Sequence, residues 1–307
     1  MTNLYQAVDS NKWKSNFVVF GFFLFIVGAA TLLSYSMGFG LDLVGVSLII
    51  GGISSLIGYY FSDRIVLAMN GARPADRNKD FHFYTVTENL AMAAQLPMPR
   101  LYVIEDSSMN AFATGRDPKR AVVCATTGLL EKLTRTELEG VVAHELAHVR
   151  NYDIRLMSLV SVMIGFIALL ADFALRFSFY GNSSRRSNDK GGNIQAILFI
   201  AGIVLALLTP IIAQLIQLAI SRRREYLADA TAVEITKYPG GLISALKKLG
   251  GDKTPLKAAN KATAHMYIVN PLNNHHDAIG WFSKMFNTHP PLPERIQSLE
   301  KLQGKHR

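Results

Sequence analysis

His144-Glu145-Leu146-Ala147-His148 is the stretch whose residue types and spacing carry the most chemistry. Histidines four apart share one face of a helix, so both imidazoles can bind one metal ion. Glu145, displaced by one residue, can reach a water on that metal without being a ligand itself. Zinc lowers the pKa of such a water to near 7, and a carboxylate base completes its activation, which is the chemistry of peptide hydrolysis. The competing reading is a surface helix with two unrelated histidines. It sits badly with the apolar run Val141-Val142-Ala143 ahead of the motif.

Two histidines leave a catalytic zinc one protein ligand short. The best candidate for the third is Glu225, in Arg222-Arg223-Arg224-Glu225-Tyr226-Leu227-Ala228-Asp229. Gln214, Gln217, Ser221 and Glu225 fall at helical spacing along one polar face, and Asp229 is one turn further on. There it can accept a hydrogen bond from the far nitrogen of a ligand histidine. The alternative is that Glu225 and Asp229 pair with Arg222 to Arg224 on a solvated face.

Elements must bring these residues together. Thr134 and Glu137 form a capping box, so the motif helix starts there. Phe81 to Gln95 reads as a helix ended by Pro97 and Pro99. Leu101 to Ile104 and Arg120 to Thr126 read as strands, with Ala111 to Thr114 a third between them.

Four apolar stretches are long enough to bear on a membrane, which about 20 apolar residues can cross. Phe17 to Phe39 and Leu43 to Phe61 carry no charge and are separated only by Gly40, Leu41 and Asp42, a tight helical hairpin. The first lacks the small-residue cleavage pattern of a secretory signal and reads as an anchor. Leu156 to Ala171 is uncharged but short, and reaches Phe179 only by taking in Asp172 and Arg176. Ile194 to Ile220 is uncharged, with a kink expected near Pro210.

Lys12 and Lys14 precede the first stretch, and Arg64, Arg73, Arg77 and Lys79 follow the second. Positive residues stay inside, so the N-terminus and the segment after Phe61 are expected in the cytoplasm. Arg185, Arg186 and Lys190 oppose export of the loop between the third and fourth stretches, whose depth stays open. The division expected is 1–61, an N-terminal hairpin; 62–153, a first catalytic part with the zinc-binding helix; 154–220, a second hydrophobic pair; and 221–307, a second catalytic part with the third ligand.

Composition agrees. Half of the 307 residues are hydrophobic and the net charge is +9, with a mean hydropathy of +0.19. In such a chain the basic excess marks loops held against anionic lipid, and with no recognition helix or aromatic-studded basic platform no nucleic-acid partner is expected. The single cysteine, Cys124, excludes an intrachain disulfide and reads as a small buried hydrophobe.

Taken in order, these features resemble the HtpX-type membrane metallopeptidases, relatives of the CAAX prenyl proteases. The resemblance runs over nearly the whole chain. It covers the N-terminal hairpin, Asn110-Ala111-Phe112-Ala113-Thr114-Gly115, the His144 to His148 motif, a hydrophobic pair, Glu225 to Asp229, and Thr288-His289-Pro290-Pro291-Leu292-Pro293-Glu294-Arg295. It implies one Zn2+ per chain held by His144, His148 and Glu225, with Glu145 as catalytic base. It also implies that the strand around Asn110 and Ala111 pairs with an extended substrate. His289 and Arg295 would lie near the cleft, His289 stabilising the oxyanion or making only an interdomain contact.

The fold class expected is α+β, mainly α. A zincin-like metallopeptidase domain, with a small antiparallel or mixed sheet and active-site helices, is combined with a four-helix transmembrane portion. Expected partners are polypeptide substrates, membrane proteins or misfolded chains, and the lipid bilayer. The expected place is the cell membrane, multi-pass, with the site facing the cytoplasm and a role in membrane-protein quality control. Two alternatives are a catalytically inert, metal-stabilised scaffold and an intramembrane-cleaving zinc protease. An intact Glu145 speaks against the first, and the soluble stretch before His144 against the second.

Overall fold

The computed structural model describes residues 4–36, 44–181, 222–257, 262–269, 271 and 290–305. The loop at Gly40 to Asp42, the fourth apolar stretch with Pro210, and His289 lie outside them. Two long helices open the chain, α1 (Leu4–Ser36) and α2 (Val44–Tyr60), followed by a short α3 (Ser62–Met69). The first begins well ahead of the apolar run at Phe17, so Asn11 and Ser15 are already on it. Over the described residues no helix is long and apolar enough to cross a membrane.

A four-stranded mixed sheet follows, in the order β1-β2-β4-β3. Its strands are β1 (Arg73–Pro74), β2 (Arg100–Ile104), β3 (Ala111–Thr114) and β4 (Val122–Thr126), with helix α4 (Phe81–Ala93) between β1 and β2. Strands β2 and β4 run parallel, while β1 and β3 are antiparallel to their neighbours. The three expected strands are present; β1 was not expected, and the run from Arg120 begins as a 3-10 turn, Pro118–Arg120.

Both faces of the sheet are covered, which is why the strands read as continuous apolar runs without alternation. Leu101, Val103, Ala111, Val123 and Ala125 point to one core with Phe83, Val86, Val141, Val142 and Leu246. Ile104, Phe112, Val122 and Cys124 point to the other, with Val18 and Phe22 of α1 and Leu156 and Val160 of α7. Burial drives the Cys124 thiol far above its ordinary pKa, with Glu145 adding to it. That thiol is a packing group, inert as a nucleophile.

The remaining α-helices among the described residues are α5 (Thr127–Lys132), α6 (Arg135–Arg150), α7 (Asp153–Gly181), α8 (Arg222–Thr236), α9 (Pro239–Gly251) and α10 (Leu292–Lys305). Helix α7 continues through Asp172 and Arg176 without a break. Helices α6 and α9 touch backbone to backbone. A Cβ on Gly140 would meet the Leu242 nitrogen at 2.5 Å, and one on Gly241 the Thr136 oxygen at 2.4 Å. That close approach is open only to glycine, and it seats the motif helix in the core.

Candidate active site

Helix α6 is fixed at its start by the expected capping box. The Thr134 N–H donates to Glu137 Oε2 at 2.7 Å, and the Glu137 N–H donates to Thr134 Oγ1 at 3.4 Å. Lys248 and Ser244 of α9 also donate to the Glu137 carboxylate, at 2.7 and 2.6 Å. Burial opposes the charge there, but these bonds outweigh it and hold the pKa at about 2.

Three turns on, the helix carries His144, Glu145 and His148, all buried. The two Nε2 atoms lie 3.2 Å apart. Glu225 of α8 brings one carboxylate oxygen to 3.7 Å from His144 Nε2 and the other to 3.6 Å from His148 Nε2. Tetrahedral ligands at zinc bond lengths of about 2.0–2.1 Å lie about 3.3 Å from one another. The observed separations are those of three ligands around one small cation, and the three residues together could hold a metal ion.

Each imidazole is oriented from behind by a carboxylate, as ligand histidines require. His144 Nδ1 is 3.0 Å from Asp229 Oδ1. His148 Nδ1 is 3.0 Å from Asp153 Oδ2. An Nδ1–H donated outward leaves the Nε2 lone pairs facing the shared point. Asp229 is in turn gripped by Arg295, whose Nε and Nη2 donate at 2.9 and 2.6 Å. Arg295 is fully buried and stands 3.5 Å from Glu225. Glu225 and Asp229 are 3% and 2% exposed, so the solvated-face alternative does not describe them.

These neighbours shift the proton affinity of each group. Burial and the Arg295 charge push His144 below its ordinary pKa, although Asp229 works the other way. Burial also works against a charged His148, but Asp153, Glu225 and Glu145 outweigh it and raise it to about 9. Burial pushes Glu145 up to about 7, even though the Ala113 N–H donates to it. Among the described residues its Oε2 is buried without a hydrogen-bond partner. Leaving a buried carboxylate oxygen unpaired costs free energy, which a donor brought to the site, such as a bound water, would relieve.

Asn110 and Ala111 stand where edge strand β3 begins. Asn110 is 4% exposed and its Nδ2 donates to the Val269 oxygen at 2.8 Å. The Ile268 N–H donates to the Ala111 oxygen at 3.0 Å, so residues 268–269 already occupy that part of the strand edge.

Sequence reasoning did not find the group behind His148. Asp153 is reached through a tight turn in which Tyr152 takes φ +59°, a left-handed conformation unusual for a bulky residue. Asn11 of α1 reaches across to it, its Nδ2 donating to Asp153 Oδ1 at 2.7 Å and to the Asn151 oxygen at 2.9 Å. Arg224 completes the cluster, donating to Asn11 Oδ1 at 2.9 Å and standing 3.6 Å from Asp153. Asp153, an acid one short turn past the motif, carried a usable signal. Asn11 carried none, because nothing in its surroundings points to a helix end more than a hundred residues away.

Comparison with known proteins agrees with this geometry. The description "Peptidase family M48" matches residues 77–303. A protein named "Protease HtpX homolog" from Dictyoglomus turgidum is 43% identical over 300 residues, covering 97% of this chain and 94% of its own length. One of the same name from Streptococcus uberis is 40% identical over 304 residues, covering 97% of this chain and all of its own. A solved structure, titled "Crystal Structure of S. mikatae Ste24p", covers 97% of this chain and 67% of its own at 20% identity and a TM-score of 0.49. With the family match over most of the chain and full-length relatives beside it, this chain belongs to peptidase family M48, in its HtpX-type branch, and is a metalloprotease.

Proposed function

We propose that this chain is an integral-membrane zinc endopeptidase that cuts membrane or misfolded proteins in segments exposed to the cytoplasm, in the service of membrane-protein quality control. The observation that carries the catalytic part is the buried convergence of His144, His148 and Glu225, with Glu145 on the same helix turn holding an oxygen that has no hydrogen-bond partner among the described residues. When bound there, one zinc ion supplies a Lewis acid and makes water acidic enough to lose a proton near neutral pH.

Glu145 takes that proton and later returns it to the leaving amine, a task matched to a carboxylate raised toward neutrality by burial. Asp229 and Asp153 keep the two imidazoles aimed inward, and Arg295 acts through Asp229. The substrate strand runs along β3 near Asn110 and Ala111, which requires residues 268–269 to give way there. His289 is assigned to the oxyanion on the resemblance alone.

Two things support the membrane part: the uncharged stretches Phe17 to Phe39 and Leu43 to Phe61, and the exposure of large apolar side chains along both. Phe17, Phe20 and Leu24 on α1, and Ile49, Ile53 and Leu56 on α2, are all more than half exposed. A surface that apolar asks for a hydrocarbon solvent or a partner. The division at residues 61, 153 and 220 belongs to the same reading.

The deciding experiment is zinc content and casein cleavage of the detergent-purified chain beside Glu145→Gln. One zinc per chain in both, with cleavage lowered at least about 100-fold in the variant, is the outcome the reading requires. A wild type without zinc, or a variant that cleaves as well as wild type, would end it.

A further inference from the structure

At the end of α2 a cavity of about 600 Å³ opens between that helix, the start of β2 and the loop joining β3 to β4. Five cationic side chains line it: Arg64, Arg100, Arg116, Lys119 and Arg120. Asp63 is the acid in the lining, and it is taken up by Arg100. Arg116 and Arg120 share Asp117 at 3.5 and 3.7 Å. Five positive charges against these two carboxylates leave an excess of three. Arg64 and Lys119 have no ion pair among the described residues.

The other wall is apolar. Ile53, Leu56, Ile57 and Tyr60 of α2 line the cavity, and each is about half exposed. Ile49, Ile53, Leu56 and Tyr60 form a stripe at helical spacing, at 64, 54, 58 and 52% exposure, that runs down the helix toward the cations. At the junction the Arg116 guanidinium stacks on the Tyr60 ring at 4.6 Å and that of Arg64 on Phe61 at 5.5 Å. Aromatic rings with cations just beyond an apolar helix mark the headgroup level of a bilayer.

We propose that this cavity binds one anionic phospholipid, its phosphate among Arg64, Lys119 and Arg116 and its acyl chains along the Ile49–Tyr60 stripe. Cations alone would fit any anion, and an apolar face alone any hydrophobe. Their adjacency in one cavity selects a molecule that is negative at one end and hydrocarbon at the other. An acidic peptide satisfies the charges but leaves the stripe bare. The inference rests on the membrane reading above.

The test uses the full-length chain in detergent micelles, with thermal midpoint titrated against dioleoyl phosphatidylglycerol, dioleoyl phosphatidylcholine, inorganic phosphate and poly-glutamate. Native mass spectrometry of the same samples counts retained lipid. Phosphatidylglycerol is expected to raise the midpoint saturably and to remain bound at one per chain, with phosphatidylcholine, phosphate and poly-glutamate doing neither. Arg64→Gln with Lys119→Gln should weaken apparent affinity at least about tenfold, while Arg64→Lys with Lys119→Arg keeps it.

Should the double variant aggregate, Lys119→Gln alone, on an exposed side chain, carries the test with a loss of about threefold. Equal response to both lipids, wild-type affinity in the neutral variants, or phosphate or poly-glutamate reproducing the shift would overturn the proposal. Carbonate extraction of cell membranes separates the two levels. A chain released by carbonate ends the membrane reading and this one with it, whereas a chain retained but indifferent to headgroup charge ends this one alone.

Discussion

His144 and His148 occupy one face of one helix, four residues apart, yet opposite ends of the chain hold them. Behind His144 stand Asp229 and then Arg295, from the C-terminal helix. Behind His148 stand Asp153 and then Asn11 and Arg224, the first of these from the N-terminal helix. The same residue type in the same local structure is therefore pushed in opposite directions by its surroundings. A buried guanidinium near His144 joins burial in lowering it, while His148 faces carboxylates that raise it. Local sequence places a ligand; its second neighbours bias its proton affinity.

The comparison can be broken from either side. The largest effect is expected from Arg295→Met, which leaves Asp229 and Glu225 buried without their cation. A loss of about 3–5 kcal/mol is expected, read as a fall in thermal midpoint of about 10 °C. A change no larger than that of an Asn11 variant would show that the two flanks carry equal weight.

The far end of α6 provides a control that touches neither histidine. Glu137 has its folded pKa near 2, below the 4.5 of the free group. Its contribution is present above pH 4.5 and is lost as pH falls toward 2. The loss is about 3 kcal/mol at most, since Lys248 is partly exposed and screened. Glu137→Gln should remove this acid sensitivity and leave zinc affinity at neutral pH unchanged; a variant with weakened zinc binding would tie the cap to the site.

Asp229→Asn and Asp153→Asn sharpen the comparison at the metal. Each is expected to lower zinc affinity about 10–100-fold in chelator competition. Asp229→Asn should be the worse, because it also strands Arg295. Equal losses would mean that Arg295 contributes nothing through Asp229. The smallest effect is expected from Asn11→Ala, one hydrogen bond removed from the carboxylate behind His148, worth about fivefold in zinc affinity. No change there would detach the N-terminal helix from the site.

Much of the site was legible residue by residue, because helical periodicity is local. The spacing of His144 and His148, the capping box at Thr134, and the turn from Glu225 to Asp229 all follow from about 3.6 residues per turn. The strands were legible as apolar runs, though which face met which helix was not, since both faces are buried and the runs show no alternation. Strand β1, two residues long and containing Pro74, had no pattern to read. Arg295 could be placed only by resemblance, and its full burial against Asp229 has no local signature.

The sequence by itself determined the chemistry. Two imidazoles and a carboxylate base on one helix turn admit few uses other than water activation at a metal, and the uncharged stretches beside them raise the expectation of a bilayer. Tertiary structure decided what surrounds that chemistry: that Asn11 and Arg295 close the site from opposite ends of the chain, that Glu145 keeps one oxygen unpaired among the described residues, and that the cations near Tyr60 gather into one cavity. The reason is range. Periodicity and capping are set by neighbours within a few residues, whereas buried charge pairing depends on which distant side chains the packed core brings within about 3 Å.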